Sequence, residues 1–397
     1  MRLRLRAARL PGLDVLQDVV VDGGKVVDVA PTREGSSGGD ERVVDLDGRL
    51  LRPGLVNALD VLDLAPFPAL GRPPYRNLYE WAAAVERESE ALADVLAIPH
   101  PDRLFLGGFR NLLAGATAVV HHGAFHRALA RDDFPVRVQG RYGFAPSPGQ
   151  VTRLRKAYRT TDRRIPWFVR AAEGLDAETA AEVDALAAAN VLRQNTVVLH
   201  GTGLRPEDGP RLAAAHACVV WCPETDRRLY EASAPVAALR AAGVRLGLGS
   251  DSAASGSRDA LSNLAAARRE GLSTDDELLQ LASSGSAAVA RLPAGAFAAG
   301  APADFVVVES LEAALRGDRR ALTLTLVAGR PLCGTPEHMK AAGVGSGELA
   351  LEGAERALEA SLFRRLRAIL RRHPAATSAS WLAGVALWGP SARSDAV

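Results

Sequence analysis

Hydrophobic and polar positions follow different patterns in different parts of the chain. Residues 1–52 contain short β-rich runs separated by turn signals, the clearest being Asp22-Gly23-Gly24 between two valine-rich segments. From residue 53, apolar β runs alternate with helical stretches rich in alanine, leucine, arginine and glutamate, which is typical of a parallel sheet. β-rich sequence returns after residue 300. These patterns predict a β/α core between two ends that together form a small sheet domain.

Seven apolar runs in the central part are continuous, as expected for parallel strands that are buried on both faces. An eighth strand is expected between residues 143 and 166, a stretch that is loop-like and then helical. The predicted fold class is therefore α/β: a (β/α)8-type TIM barrel, which a short eighth strand would distort, with a small β-sandwich domain formed by both termini. The seven runs are residues 55–61, 116–122, 136–142, 167–171, 196–200, 217–221 and 244–249.

The same patterns divide the chain into three parts. Residues 1–52 and 298–345 form the small β-sandwich domain, residues 53–297 form the barrel, and residues 346–397 form a C-terminal helical extension and tail. The Gly/Ser-rich segment 32–40 is expected to be a mobile loop. An apolar stripe at residues 362–370 is one hypothesis for a homodimer contact.

Composition narrows the classes of function. The 397 residues include 48 basic and 46 acidic side chains, a formal net charge of +2, and this balance argues against a nucleic-acid binder. No apolar run is long enough to span a membrane. The three cysteines, Cys218, Cys222 and Cys333, are too few and too dispersed for a disulfide framework, so a cytoplasmic location is expected.

A series of short motifs in a fixed order carries the candidate chemistry. The motifs are Pro53-Gly54-Leu55-Val56-Asn57-Ala58, Gly115-Ala116-Thr117-Ala118-Val119-Val120, Ala171-Ala172-Glu173, Leu199-His200-Gly201, Trp221-Cys222-Pro223-Glu224-Thr225-Asp226, Leu248-Gly249-Ser250-Asp251-Ser252 and Gly300-Ala301-Pro302-Ala303-Asp304. Over most of the chain, their order and spacing resemble the amidohydrolase superfamily, in the branch with cytosine and guanine deaminases and chlorohydrolase-type enzymes. The resemblance implies hydrolysis of carbon–nitrogen bonds other than peptide bonds, at the C-terminal ends of the barrel strands.

The resemblance also implies a divalent metal that acidifies a bound water, and it assigns four ligand positions. Three of these positions are substituted here: the paired imidazoles fall on Leu59 and Val61, and the third imidazole falls on Arg170. Aliphatic and guanidinium groups offer no electron pair to a metal. We therefore expect no cofactor, and we interpret the chain as a degenerate member of the superfamily, a pseudoenzyme or small-molecule-binding barrel.

Other positions implied by the resemblance are kept. The acid that shuttles a proton falls on Glu173, and the imidazole that orients the nucleophile falls on His200. The last metal ligand, which also takes the proton from water as general base, falls on Asp251. Two carboxylates held close together repel each other. The permanent charge of Arg170 could pair with Asp251, Glu173 or both and take the place of the lost cation.

Two alternatives remain open. In one, the chain is an active amidohydrolase or deaminase with a rebuilt site, in which His121 or His122, His200 and Asp251 hold one divalent zinc or iron ion. Adjacent residues on a strand point to opposite faces, so only one of the two neighbouring histidines can face inward. In the other, the chain is a structural subunit that partners an active relative.

Trp221 and Cys222 are neighbours at the end of a predicted strand. Trp221 is a candidate pocket residue, because aromatic walls line many such pockets. Cys222 is interpreted as a buried packing residue, since a reactive thiol needs an activating base or cation nearby. The expected partners are a small-molecule ligand and a second copy of the chain, with no nucleic acid and no membrane.

Overall fold

A computed structural model describes residues 1–33, 41–88, 92–149 and 154–387. Most of the loop predicted at 32–40 and the end of the predicted tail, from residue 388 onward, lie outside these described residues.

β-strands and short helices alternate through most of the described ranges. The strands are β1 (Leu3–Ala8), β2 (Gln17–Asp22), β3 (Lys25–Pro31), β4 (Arg42–Asp45), β5 (Leu50–Pro53), β6 (Leu55–Asp60), β7 (Ala116–His121), β8 (Arg137–Gln139), β9 (Gly143–Ala145), β10 (Trp167–Ala171), β11 (Thr196–His200), β12 (Cys218–Trp221), β13 (Arg245–Leu248), β14 (Phe305–Val308), β15 (Leu322–Val327), β16 (Arg330–Gly334), β17 (Ser346–Leu351), β18 (Ala354–Glu359) and β19 (Val385–Leu387). The helices are α1 (Leu78–Arg87), α2 (Ala93–Leu96), α3 (His100–Leu113), α4 (Leu154–Arg159), α5 (Ala177–Ala180), α6 (Glu182–Ala188), α7 (Asp208–Ala214), α8 (Pro223–Tyr230), α9 (Val236–Ala241), α10 (Ala260–Arg269), α11 (Asp275–Gln280), α12 (Ser286–Ala290), α13 (Leu311–Leu315), α14 (Pro336–Ala341) and α15 (Ala360–Arg372).

Eight central strands follow one another in chain order. β6, β7 and β8 form one parallel sheet, and β9 to β13 form a second. The second sheet returns to the first through a parallel bridge between Asp60 and Asp251. Asp251 N–H donates to the Leu59 carbonyl, and Val61 N–H donates to the Asp251 carbonyl. The strand order is that of a TIM barrel.

The hydrogen-bonded ring of these strands is not closed. In the described residues β8 and β9 belong to different sheets, and no ladder joins them. Each has only three residues, most of them partly or fully exposed, so each offers few hydrogen bonds to a neighbour. β9 lies at the start of the stretch where the sequence predicts the eighth strand, which explains the weak apolar signal there.

Two further sheets come from the ends of the chain. β1 to β4 form a four-stranded sheet, and β5 joins β14 to β19 in a seven-stranded sheet. Side chains of both sheets share one core cluster, for example Leu5, Val19, Phe305 and Leu324. A β-rich region assembled from both termini is therefore present. Its description as a sandwich, with boundaries at residues 52 and 298, stays a prediction.

The C-terminal part differs from the sequence-based prediction of helices from residue 346. A hairpin of β17 and β18 comes first, and the helix α15 begins only at Ala360. Glu352 and Gly353, with φ of 51° and 83°, form the turn between the two strands, and two positive φ angles match the twist of a tight hairpin.

The predicted apolar stripe of α15 is not available to a second copy. Leu362, Leu366 and Ile369 are buried in the chain's own core, where they pack with Leu349 and Leu358 of the hairpin. The stripe therefore fixes α15 to its own sheet. In the described ranges, no helix is both long and apolar enough to cross a bilayer.

Candidate functional site

Charged side chains converge at the C-terminal ends of the central strands, an edge called the mouth below. Arg170 and Glu173 flank the end of β10, His200 ends β11, and Asp251 follows β13. Ala172, His200 and Asp251 have φ of 53°, 64° and 54°. A left-handed backbone costs about 1–2 kcal/mol for a residue with a side chain, and such strain collects where side chains must be aimed for function.

The guanidinium of Arg170 lies at the centre of the mouth. Its Nη1 donates to both carboxylate oxygens of Glu173, at 3.0 and 2.8 Å, and its Nη2 donates to Oδ1 of Asp251. Nη1 also lies 3.1 Å from Nε2 of His200. The side chain of Arg170 is 15% exposed and those of the two acids are 2% exposed. One permanent cation thus holds all three polar residues that the sequence assigns to the site, pairing with both acids.

A residue without an assigned role in the sequence analysis completes the contacts of His200. Asp226, in the first turn of α8, lies with Oδ1 2.7 Å from Nδ1 of His200. Nδ1 donates to Asp226 whether the ring is charged or neutral, and in the neutral ring Nε2 accepts from the N–H of Arg170. Both His200 and Asp226 are fully buried. The imidazole is therefore fixed from both sides.

Burial and charge act against each other on the ionisable groups of the mouth. Burial raises the pKa of Asp251, but Arg170 and His200 lower it by more, so the net pKa lies below its ordinary value. Burial disfavours charged His200, yet Cys222, Glu173 and Asp226 raise its pKa well above the ordinary value. Burial raises the pKa of the Cys222 thiol to about 11, so Cys222 is uncharged at neutral pH. The rise in the pKa of His200 then comes from the carboxylates of Glu173 and Asp226.

Neighbouring elements hold Glu173 in place. The hydroxyl of Tyr230, at the end of α8, donates to Oε1 of Glu173 at 3.0 Å, and burial raises the pKa of Tyr230 well above its ordinary value. The N–H of Ala172 donates to Oε2 of Glu182 at 2.8 Å. Glu173 is thus fixed by side-chain contacts on one side and by its strand end on the other.

An aliphatic side chain, Leu59, stands at the first of the substituted ligand positions. Leu59 is fully buried and packs in a cluster with Phe168, Leu199 and Val220. Val61 is partly exposed. Asp60, between them, points the other way: it accepts hydrogen bonds from Arg110 Nη2 at 2.9 Å and Asn111 Nδ2 at 2.6 Å on α3.

The two adjacent histidines face opposite sides, as strand alternation predicts. His121 accepts a hydrogen bond from the N–H of Leu62 at 3.2 Å, outside the mouth. His122 packs edge-on against Phe168, with 4.7 Å between ring centroids. Both of its ring nitrogens are buried without a hydrogen-bond partner in the described part of the chain. Burial first, and then the charge of Arg170, lower the pKa of His122 to about 3.

Trp221 and Cys222, the neighbouring residues at the end of β12, are both fully buried. Trp221, a candidate pocket residue, is fully buried in the core, and its indole N–H donates to Ser233 Oγ at 2.8 Å. It packs in the core, and its role as a pocket residue stays a prediction. Cys222 is also fully buried, and its raised pKa keeps it a thiol.

Sequence comparison relates the chain to known proteins. The model of the Amidohydrolase family matches residues 167–332. A 5-methylthioadenosine/S-adenosylhomocysteine deaminase of Halobacterium salinarum is 27% identical over 358 residues, 74% of this chain and 80% of that protein. The protein of the same name from Haloquadratum walsbyi is 33% identical over 129 residues, 30% of this chain and 29% of that protein. The latter match spans less than a third of the relative.

Structural comparison concerns the fold. A zinc-bound adenosine deaminase from Xanthomonas campestris is 19% identical and aligns with a TM-score of 0.66 over 83% of this chain and 92% of its own. Atrazine chlorohydrolase from Arthrobacter aurescens TC1, complexed with zinc, is 18% identical, with a TM-score of 0.65 over 83% and 94%. Together with the family match and the sequence relatives, these findings support membership of the amidohydrolase superfamily. The structural neighbours of the chain imply a TIM-barrel-type α/β fold.

The expectation that the chain has no cofactor is wrong in the light of these neighbours. Both solved structures contain zinc, which points to a metal cofactor. The side chains of the mouth do not fit a metal as they stand. Asp251 and Glu173 are paired with Arg170, and Nδ1 of His200 is bonded to Asp226. The described residues contain no group of three or more His, Cys, Asp and Glu arranged to hold a metal.

Replacing Arg170 tests the charge balance of the mouth. Arg170→Met leaves two buried carboxylates without their cation, and we expect a loss of about 3–5 kcal/mol in the free energy of unfolding, measured by urea denaturation. The triple variant Arg170→Met, Glu173→Gln, Asp251→Asn removes the charges together and should regain most of that loss. A single variant as stable as the wild type would contradict this account of the ion pairs.

The pH dependence of stability tests the burial of His122. The unfolded chain binds a proton there below about pH 6.5, whereas the folded side chain, with a pKa of about 3, stays neutral. Stability must therefore fall as the pH falls, by about 1.4 kcal/mol per unit between pH 6 and 4 for this residue. His122→Phe keeps the aromatic packing and should reduce the slope by one proton. At pH 8 His122 is neutral in both the folded and the unfolded chain, so its contribution to the pH dependence of stability is absent there, which provides the control. Stability curves of the two proteins that stay parallel below pH 6 would contradict the assignment.

Proposed function

We propose that this amidohydrolase is a non-hydrolytic member of its superfamily, a pseudoenzyme whose mouth binds a small molecule. One observation carries the proposal: Arg170 engages Glu173 and Asp251 and abuts His200. These are the three residues to which the resemblance assigns the proton shuttle, the general base and the orientation of the nucleophile. None of them is free for that work while the guanidinium is in place.

The electrostatics support this proposal. A general base works best when its pKa lies near the operating pH, and the pKa of Asp251 is pushed the other way, below its ordinary value, by Arg170 and His200. Glu173 accepts two hydrogen bonds from Arg170 and one from Tyr230. These contacts occupy both carboxylate oxygens of Glu173, so neither oxygen is free to contact a substrate while they are made.

The charges of the mouth also favour one kind of ligand. Glu173, Asp226 and Asp251 are three carboxylates, against the cations Arg170 and, when protonated, His200. With all three acids ionised the cluster carries a net charge of −2, or −1 when His200 is protonated. A small molecule that presents N–H donors or a positive charge gains most from such a site.

A second candidate function is an active hydrolase with a rebuilt metal site. Zinc in the solved neighbours favours it, as do the two unpartnered ring nitrogens of His122. In this arrangement Arg170 would have to leave Asp251, so that His122, His200 and Asp251 could gather around one divalent ion. His121 takes no part, because its ring faces Leu62.

Metal content and turnover, measured on the same samples, separate the two candidates. We expect zinc-supplemented wild-type protein to release no ammonia from adenosine or cytosine, and Asp251→Asn to leave its metal content unchanged by mass spectrometry. One zinc per chain that is lost in Asp251→Asn, together with turnover that is lost in the same variant, would overturn the proposal and establish the second candidate.

Back-substitution tests whether three positions alone separate this mouth from a metal site. Leu59→His, Val61→His and Arg170→His together remove the competing cation and add three imidazoles beside Asp251. We expect the triple variant to retain about one zinc per chain after dialysis, because three imidazoles and a carboxylate complete a four-ligand set. The matched variant with asparagine at the same three positions should retain none. Equal zinc in the two variants would show that the added imidazoles do not meet.

A further inference from the structure

A large cavity lies at the opposite end of the central strands from the mouth. Its volume is about 690 Å³, and it lies between α4 and the loops that precede β10, β11 and β12. The charged and aromatic side chains that line it are Arg155, Tyr158, Arg159, Arg163, Arg193 and His216. The cavity shares no residue with the mouth.

The lining of this cavity is positively charged far beyond the average of the chain. Among the described residues, the lining contains four arginines and one histidine and no aspartate or glutamate. The whole chain, by contrast, has 48 basic and 46 acidic residues. Two more arginines flank it: Arg291 donates to the carbonyl of Arg163 at 2.7 Å, and Arg245 donates to that of His216 at 3.2 Å. The arginine-rich composition alone does not account for a lining without acids.

Two of the four arginines are fixed and two are free. Arg155 donates to the carbonyls of Ala188 and Ala189 at the end of α6, and Arg193 donates to Asn190. Within the ranges that the structure describes, the exposed side chains of Arg159 and Arg163 form neither a hydrogen bond nor an ion pair. Like charges around one cavity repel each other, and a bound anion relieves that repulsion.

We propose that this cavity binds a small molecule that carries a diphosphate or triphosphate group. A guanidinium presents paired N–H donors that match phosphate oxygens, and the two free guanidinium groups can take successive phosphates. The volume lies within the range of small-molecule sites. Tyr158 is packed edge-on against Trp167, and its hydroxyl donates to Asn195. It is therefore no platform for stacked bases, which argues against a single-stranded nucleic acid.

Calorimetric titration of the full chain with sodium tripolyphosphate tests the proposal. We expect binding at 50 mM salt that weakens at 200 mM, because the contacts are ionic. The double variant Arg159→Ala, Arg163→Ala should weaken binding by roughly 10- to 100-fold, the usual effect of losing hydrogen bonds to a charged group. Both side chains are exposed and unpartnered, so the variant should keep the wild-type melting temperature.

Parallel titrations with ATP and AMP identify the molecule that carries the phosphate groups. Tighter binding of ATP than of tripolyphosphate assigns a nucleotide, and tighter binding of tripolyphosphate assigns an inorganic phosphate chain.

A matched control variant distinguishes binding in this cavity from a general effect of the positive charge of the chain. Arg364→Ala, Arg367→Ala removes the same charge from two exposed arginines of α15 and should leave the affinity unchanged. Equal weakening in both double variants would overturn the proposal, as would a wild-type chain that does not bind tripolyphosphate or ATP at low salt. An RNA oligonucleotide that binds more tightly than either, and loses its affinity in the Arg159, Arg163 variant, would also overturn it in favour of a nucleic-acid site.

Discussion

The arrangement of the mouth depends on one guanidinium between two buried carboxylates. The side chains of both acids are 2% exposed, and a buried charge without a partner is strongly destabilising. Arg170 supplies the cation that pairs with both acids, and the lowered pKa of Asp251 is its signature. A divalent ion would neutralise the same acids. Arg170 and a divalent ion would therefore compete for the same two carboxylates. A zinc ion like those in the solved neighbours could bind these acids only if Arg170 moved away from them.

The two cations differ in what they do to water. A metal with an open coordination position lowers the pKa of a bound water toward neutrality, whereas a guanidinium, which stays protonated at every physiological pH, only donates hydrogen bonds. The strained backbone at Ala172, His200 and Asp251 persists beside Arg170. The mouth thus combines a strained backbone at three of its residues with a guanidinium at its centre.

Much of this was predictable from the sequence because it follows from strand ends. Continuous apolar runs marked β10 to β13, whose C-terminal ends lie at one edge. The resemblance placed Arg170, Glu173, His200 and Asp251 at these strand ends, and the pairing of Arg170 with the acids was left open. Asp226 was not among them, because its contact with His200 depends on how the first turn of α8 folds back over β11. The β17–β18 hairpin was missed for a different reason: its alanine, leucine and glutamate favour helix, and pairing with β16 overrides that local preference.

Arginine therefore has two different roles at the two ends of the same strands. At the mouth, Arg170 is nearly buried, and burial forces pairing, because the cost of an unpaired charge there exceeds what the fold could tolerate. At the other end Arg159 and Arg163 lie in solvent, where water screens them and leaving them unpaired costs little. The fold does not require their clustering around a cavity without acids. A feature that stability does not require, and that mild repulsion opposes, is better explained by a ligand than by the arginine-rich composition of the chain.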